Sequence, residues 1–332
     1  MLYRPVTCPY DGGANYAVQP MDNARRREHS VITSATEIRT VAVIGAGTLG
    51  AQIAAMTAGS GRTVLLFDAA PNAASAAIGR LRWMLEPVIE DGRLDWDLNA
   101  VLARIIPVDS LGEAVGPADL VIEAVREDLD TKRTVFAEIG VLNPTVLLAT
   151  NSSSLPSSSL ADVVPDPGKL VNLHFFSEFW IRSCVELMGC GQTSQQTMEI
   201  LEEFGRSLGL YVAVVRGESK GFIINRVWRA VKRESLRVVD EGHADPEDVD
   251  RLWAFFWGID YGPFGMMDSI GLNVIADIED TYIAVSQDPT DQPSAVLHEL
   301  VDAGNLGVKS GQGFYTYPDP SYRRPGWPRE AE

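Results

Sequence analysis

The sequence predicts an α/β protein, a doubly wound sheet followed by an all-α C-terminal domain. Three observations carry this. Val41, Val43 and Ile44 form a β-branched run that stops at Gly45, and the residues from Thr48 onward favour a helix, so the stretch reads strand, turn, helix. Apolar runs of strand length recur at Thr63 to Phe67, Asp119 to Ala124 and Val146 to Ala149, and near-continuous apolarity suits parallel strands covered on both faces. After the break Gly217-Glu218-Ser219-Lys220-Gly221 the rest of the chain reads almost wholly helical.

The first turn carries V-I-G-A-G-T-L-G at 43–50. Gly45 permits the tight turn, Gly47 lets the backbone approach a pyrophosphate, and Gly50 lets the helix pack closely on the strand. The helix start at Thr48 and Leu49 then turns its amides and dipole toward the phosphates. Alone, such a pattern also fits an ordinary strand-to-helix turn. Its surroundings are more specific. The second strand ends in Asp68, eighteen residues beyond Gly50, where a carboxylate accepts ribose hydroxyls. Asp68 repels the extra phosphate of NADP, and Ala69, Ala70 and Pro71 offer no cation to receive it. The sequence therefore predicts a Rossmann-type site for NAD.

Taken in order, residues 1–38 are rich in Pro, Gly, Asn and Arg without a sustained period and form an N-terminal extension; 39–217 form the NAD-binding domain; 218–332 form the helical domain. Beyond Asp68 a helical pair is expected at Ala73 to Ile89 and Asp95 to Ile105. Ligands of doubly wound sheets bind outside the carboxyl ends of the strands, so Glu127 and Lys132, just past the strand 119–124, are placed to reach a cofactor; equally, they suit a solvated helix start. Asn151, in Thr150-Asn151-Ser152-Ser153-Ser154-Leu155, follows another strand edge.

His174 ends the run Lys169-Leu170-Val171-Asn172-Leu173, and of the four histidines it alone terminates a predicted strand. It is a candidate base or a strand-end histidine satisfied by backbone. Further strands are expected at Cys184 to Met188 and Leu210 to Val215. The helices then run Phe222 to Glu241, Asp248 to Trp257, Gly265 to Ser286 and Ser294 to Ala303, with Asp245-Pro246 marking a helix start. Their apolar stripes, with Trp228, Trp253, Phe255, Phe256 and Trp257, read as core and subunit interface.

With 332 residues there is ample length for two domains, and a hydrophobic share of 45% is that of a soluble globular chain. The net charge of −17 disfavours nucleic acid and anionic membrane as partners, yet glycine-loop amides can still hold an anionic cofactor locally. No segment has the apolar length of a membrane span, and the N-terminus, with Asp11, Asp22 and Arg25-Arg26-Arg27, lacks a signal-peptide core, so a cytoplasmic location is expected. Three cysteines, Cys8, Cys184 and Cys190, show neither a disulfide framework nor metal spacing. No metal is expected.

From about Arg39 to Tyr317 the chain resembles the 3-hydroxyacyl-CoA dehydrogenase family. The glycine motif at 43–50, A-D-L-V-I-E-A-V-R-E at 118–127, N-S-S-S-L at 151–155, L-H-F-F at 173–176, G-F-I-I-N-R at 221–226, G-P-F at 262–264 and G-V-K-S-G-Q-G-F-Y at 307–315 carry the resemblance. It implies a catalytic His174 partnered by Glu186, an active-site Ser153 and Asn225, and cofactor contacts at Gly45, Gly47, Gly50, Asp68, Glu127 and Lys132. It further implies a homodimer built by the helical domain, with the substrate between domains. Two departures stand out. The family's H-F-F-N-P is here H-F-F-S-E, at Ser177 and Glu178, and the helical pair where the family meets CoA offers only Arg80, Arg82, Arg93 and Arg104.

Such a set can oxidise a secondary alcohol. Histidine can take the hydroxyl proton near neutral pH, a carboxylate on its other nitrogen fixes the tautomer, and Ser and Asn can bond the reacting oxygen while NAD carries the electrons. Ser153 lies in no G-x-S-x-G elbow, which excludes a serine hydrolase. The resulting expectation is an NAD-dependent dehydrogenase of a 3-hydroxyacyl thioester on CoA or a carrier protein. The alternatives are a dehydrogenase of a small free 3-hydroxy acid and a non-enzymatic NAD-binding protein.

Overall fold

A computed structural model describes residues 32–329. Most of the expected N-terminal extension, including Cys8, Arg25-Arg26-Arg27 and His29, lies outside the described residues. The ordered elements begin with β1 (Thr40–Ile44), α1 (Thr48–Gly59), β2 (Thr63–Phe67), α2 (Ala73–Glu90), α3 (Leu98–Leu102), β3 (Ile105–Pro107), α4 (Leu111–Val115) and β4 (Leu120–Glu123). They continue with α5 (Leu129–Leu142), β5 (Leu147–Thr150), β6 (Leu170–Phe175), β7 (Cys184–Gly189), α6 (Gln195–Ser207) and β8 (Tyr211–Val215).

These strands form one sheet of order β3-β2-β1-β4-β5-β6-β7-β8, in which the β6–β7 pairing alone is antiparallel. The strand order reverses between β1 and β4, so a crevice opens above their carboxyl ends, where doubly wound sheets bind their ligands. The central strands are buried on both faces: Val41 to Val43, Leu120 to Ile122 and Leu147 to Ala149 are at most 4% exposed. One apolar cluster joins α1, α2 and α6 to one face, and a second, with Phe136, Ile139 and Leu160, covers the other.

After Val215 the chain is helical: α7 (Ile224–Asp240), α8 (Pro246–Trp257), α9 (Pro263–Ile270), α10 (Leu272–Ile283) and α11 (Ala295–Asp302). Its core is built around Leu236, Phe264, Met267, Leu272 and Ile275. Two buried aspartates knit the sequence motifs here together. Asp250 accepts the Phe264 and Gly265 amides and the Tyr315 hydroxyl at 2.8, 2.8 and 2.9 Å. Asp268 accepts the amides of Phe314 and Tyr315 and the hydroxyl of Tyr317.

Two expected helices are corrected. Asp95 to Ile105 does not form one helix: Asp97 caps the five-residue α3, and Ile105 already belongs to β3. β-branched Ile105 and Ile106 suit a strand, and Pro107, which has no donor, is tolerated because β3 is an edge. Gly265 to Ser286 is likewise broken, since Gly271 at φ 107° ends α9 and starts α10 in a direction that a side chain disfavours. The short α4, capped by Ser110, was not foreseen.

Candidate active site

The glycine turn has the shape its residues imply. Gly45 lies at φ 108°, and a Cβ there would stand 2.5 Å from the Ala124 carbonyl; at Gly50 it would collide with the Gly45 carbonyl. Gly47, by contrast, has open space above it, at the uncapped N-terminus of α1. That combination of one free face and exposed amides fits a dinucleotide pyrophosphate held over Gly45, Gly47 and Gly50, with Thr48 and Leu49 in the first turn. Asp68 closes the side of the turn. Its carboxylate accepts the Ala46 amide at 2.7 Å and the Ala70 amide at 2.8 Å, which fixes it beside the crevice at the end of β2. Arg80, reaching from α2, donates to the Ala46 carbonyl at 2.6 Å, so that the two peptide groups flanking the Ala46 Cα are tied to a carboxylate on one side and a guanidinium on the other.

On the far side of the switch point sits a charged cluster. Lys132 is not a solvated helix-start residue: it is 1% exposed, and its ammonium is committed to Glu123 at 2.8 Å and Glu127 at 3.3 Å. It therefore bears on the crevice through Glu127 instead of reaching into it. The Glu127 carboxylate in turn accepts the Ser152 hydroxyl at 2.5 Å and the Ser153 and Ser154 amides at 3.0 and 2.9 Å, gathering the serine loop after β5. Partial burial works against its charge, but the hydrogen bond from Ser152, the charge of Lys132 and the bonds from Ser154 together hold its carboxyl below the usual glutamate range. Asn151 accepts the Phe175 amide at 2.8 Å, tying this loop to the end of β6.

His174 and Glu186 face each other in register across the antiparallel β6–β7 pair, and Nδ1 lies 2.9 Å from Oε2. The other carboxylate oxygen, Oε1, accepts the Ile223 and Ile224 amides at the start of α7, both at 2.9 Å. Burial opposes the charge of Glu186, yet the bond to His174 and these two amides hold its carboxyl below the usual range. The imidazole is packed between Phe176 and Phe222, at 4.7 and 4.9 Å between ring centres. Asn225, the next residue along after Ile224, donates to the Ser153 carbonyl at 3.3 Å. The structure thus links His174, Glu186, Asn225 and Ser153 through the start of α7, at the same carboxyl edge of the sheet as the glycine turn and Asp68.

Two participants escaped the sequence reading. Phe222 holds φ 54°, unusual for a bulky residue, and so delivers its ring to His174 and the next two amides to Glu186. Gln52 is buried in α1, and its side-chain carbonyl accepts the Glu178 amide at 2.6 Å, anchoring the loop after His174. Its signal was a lone amide in the otherwise apolar A-Q-I-A-A-M. Glu178 itself is at φ 58°.

Fold, glycine turn and buried His–Glu pair define an NAD-dependent oxidoreductase. More particularly, this chain belongs to the 3-hydroxyacyl-CoA dehydrogenase family: residues 40–219 match the model of its NAD binding domain and residues 221–317 that of its C-terminal domain. It is 36% identical to the 3-hydroxyadipyl-CoA dehydrogenase of Escherichia coli over 84% of this chain, although it spans only 59% of that longer protein. A 5-formyl-3-hydroxy-2-methylpyridine 4-carboxylate 5-dehydrogenase of Mesorhizobium japonicum is 32% identical, over 84% of this chain and 91% of the relative. Among solved structures, the (S)-3-hydroxybutyryl-CoA dehydrogenase of Ralstonia eutropha superposes with a TM-score of 0.79 at 32% identity, covering 85% of this chain and all of that one.

Proposed function

We propose that this protein interconverts a 3-hydroxyacyl thioester, carried by CoA or a carrier protein, and its 3-oxoacyl form, with His174 as general acid and base oriented by Glu186. The held pair is the observation that carries the reading. With Nδ1–H donated to Glu186, Nε2 is left as the acceptor that meets a substrate hydroxyl. Nε2 takes the hydroxyl proton as the C–H bond breaks, and the imidazolium so formed faces an ionised carboxylate that two backbone amides keep in place. NAD supplies the hydride acceptor. The Ser153 hydroxyl and the Asn225 amide bond the reacting oxygen as charge develops there. In the reverse direction the imidazolium returns its proton.

The glycine turn with Thr48 and Leu49 holds the pyrophosphate, Asp68 the ribose, and Glu127 and Asn151 line the nicotinamide side, with Lys132 fixing Glu127. Residues 39–217 serve as the NAD domain and 218–332 as the helical substrate and dimerisation domain. A second copy of the chain is the partner that suits the groove of about 1000 Å³ between α7 and α8, whose apolar rim leaves Leu252 69% and Phe256 79% exposed. Sedimentation as a monomer at micromolar concentration would contradict the homodimer. An acidic chain with free Cys184 and Cys190 suits the cytoplasm.

A second reading, a dehydrogenase of a small free 3-hydroxy acid, draws on the altered loop at Ser177 and Glu178 and on the pyridine carboxylate in the name of the Mesorhizobium relative. NADH oxidation with acetoacetyl-CoA, its carrier-protein equivalent and a panel of free 3-oxo acids separates the two. Turnover of thioesters alone supports the first reading, turnover of free acids alone the second, and no turnover of any overturns both.

A further inference from the structure

Between α7 and α10 lies a small cavity of about 190 Å³ lined by Lys220, Arg226, Arg229, Ala230, Arg233 and Tyr282. Arg226, Arg229 and Arg233 recur at spacings of three and four, so α7 turns all three to one side, where like charges repel. Part of this charge is balanced. Arg229 forks onto both oxygens of Asp291 at 2.9 Å and reaches Glu279 at 3.2 Å; Arg233 meets Asp291 at 3.3 Å and Asp288 at 3.7 Å; Lys232, buried behind them, takes Glu279 at 2.7 Å. Five cations therefore meet three carboxylates.

The two cations left over are Lys220 and Arg226. Arg226 donates to the Ser219 hydroxyl at 3.1 Å and Lys220 stands 5.2 Å over the Tyr282 ring, which Arg229 also covers at 4.5 Å. Neither touches a carboxylate among the described residues. In a chain of net charge −17, a concave site walled by unbalanced positive charge needs a cause, since such a wall concentrates anions. Guanidinium and ammonium groups converging on one spot are a phosphate-binding set. At about 190 Å³ the space is large enough for a phosphate group.

We propose that this cavity binds a phosphate group between Lys220 and Arg226, with Arg229 and Arg233 as its fixed neighbours. The site adjoins the catalytic pair. Lys220 and Arg226 bracket the segment that carries Phe222 against His174, the Ile223 and Ile224 amides onto Glu186, and Asn225 onto Ser153. The phosphate is either one borne by the CoA part of a thioester or that of a separate small phosphate compound.

Calorimetric titration of the full chain with inorganic phosphate, at constant ionic strength set with sodium chloride, tests this without reference to turnover. Saturable binding is expected, weakened at least about tenfold in the Lys220→Gln/Arg226→Gln double variant and retained in Lys220→Arg. Should the double variant not fold, Lys220→Gln alone, which removes only a contact with the Tyr282 ring, must weaken binding in the same sense. Competition of phosphate by CoA but not by 3′-dephospho-CoA identifies the 3′-phosphate as the occupant, whereas independent binding of CoA and phosphate identifies a separate compound; both keep the site. No saturable heat with phosphate, or equal affinity in wild type and the glutamine variants, overturns it.

Discussion

His174 and Glu186 are directly opposed on adjacent antiparallel strands, and their side chains close the pair at 2.9 Å from within a buried setting. The antiparallel reversal of β7 is what makes this possible: two residues twelve apart in sequence become cross-strand neighbours on one face. The start of α7 then fixes the far side of the carboxylate, so the dyad is held jointly by the sheet and by the helical part of the chain.

The loop after His174 is where this chain departs from its family, and proline cannot simply be restored there. Glu178 lies at φ 58° and donates its amide to Gln52, whereas proline is locked near −65° and has no donor. Glu178→Pro should lower stability by about 2 to 4 kcal/mol, and Glu178→Gly should be tolerated. Chemical denaturation of both variants checks this; a proline variant as stable as the glycine one would show that the loop conformation is not required.

Lys132 holds two acids in place from a buried position. Lys132→Met leaves Glu123, which is fully buried, without its counter-charge and should cost about 3 to 5 kcal/mol, with NADH affinity falling as Glu127 loosens. Denaturant midpoint and NADH titration should move together. Lost affinity at unchanged stability would mean that Lys132 meets the cofactor itself.

Asp68 and the absence of a base at 69–71 set NAD over NADP. Asp68→Ser should narrow the preference for NADH over NADPH, read as the ratio of their dissociation constants. Tighter binding of NADPH than NADH by the native protein would contradict the assignment.

Asp250 gives a pH dependence of its own. Burial pushes its carboxyl up from 3.8 to about 6, against the pull of the Phe264 and Gly265 amides and the Tyr315 hydroxyl. A group whose folded pKa is raised contributes stability that is complete below pH 3.8 and is lost as pH rises through about 6. The Tm of wild type relative to Asp250→Asn should therefore fall between pH 5 and pH 7.5 in calorimetry. A relative Tm that rises over that interval would mean that the amides hold the charged form.

Much of this architecture is written in local patterns. The β-branched run before Gly45, the glycine spacing and the terminal Asp68 each constrain backbone or charge within a few residues, so the nucleotide-binding half was legible. The break at Gly271 was not, because periodicity alone carries a helix through a glycine that tolerates either hand of turn. The burial of Lys132, open in the sequence to a cofactor contact or a solvated helix start, was not legible, since its partner Glu123 lies nine residues back, at the end of a strand, and the pairing depends on burial that sequence spacing does not express. The contact of the Ile223 and Ile224 amides with Glu186, like the grip of Gln52 on Glu178, joins segments far apart in the chain, and backbone donors leave no mark in residue identity.

The central claim is that His174 and Glu186 act as one proton-transfer unit, and a double-mutant cycle on turnover tests it most directly. His174→Ala and Glu186→Gln should each cut kcat by about 10² to 10⁴ while leaving the NADH dissociation constant nearly unchanged, because neither side chain holds the dinucleotide. The double variant should be little slower than His174→Ala alone. Losses that multiply, or single variants that keep near-native turnover, would contradict the account.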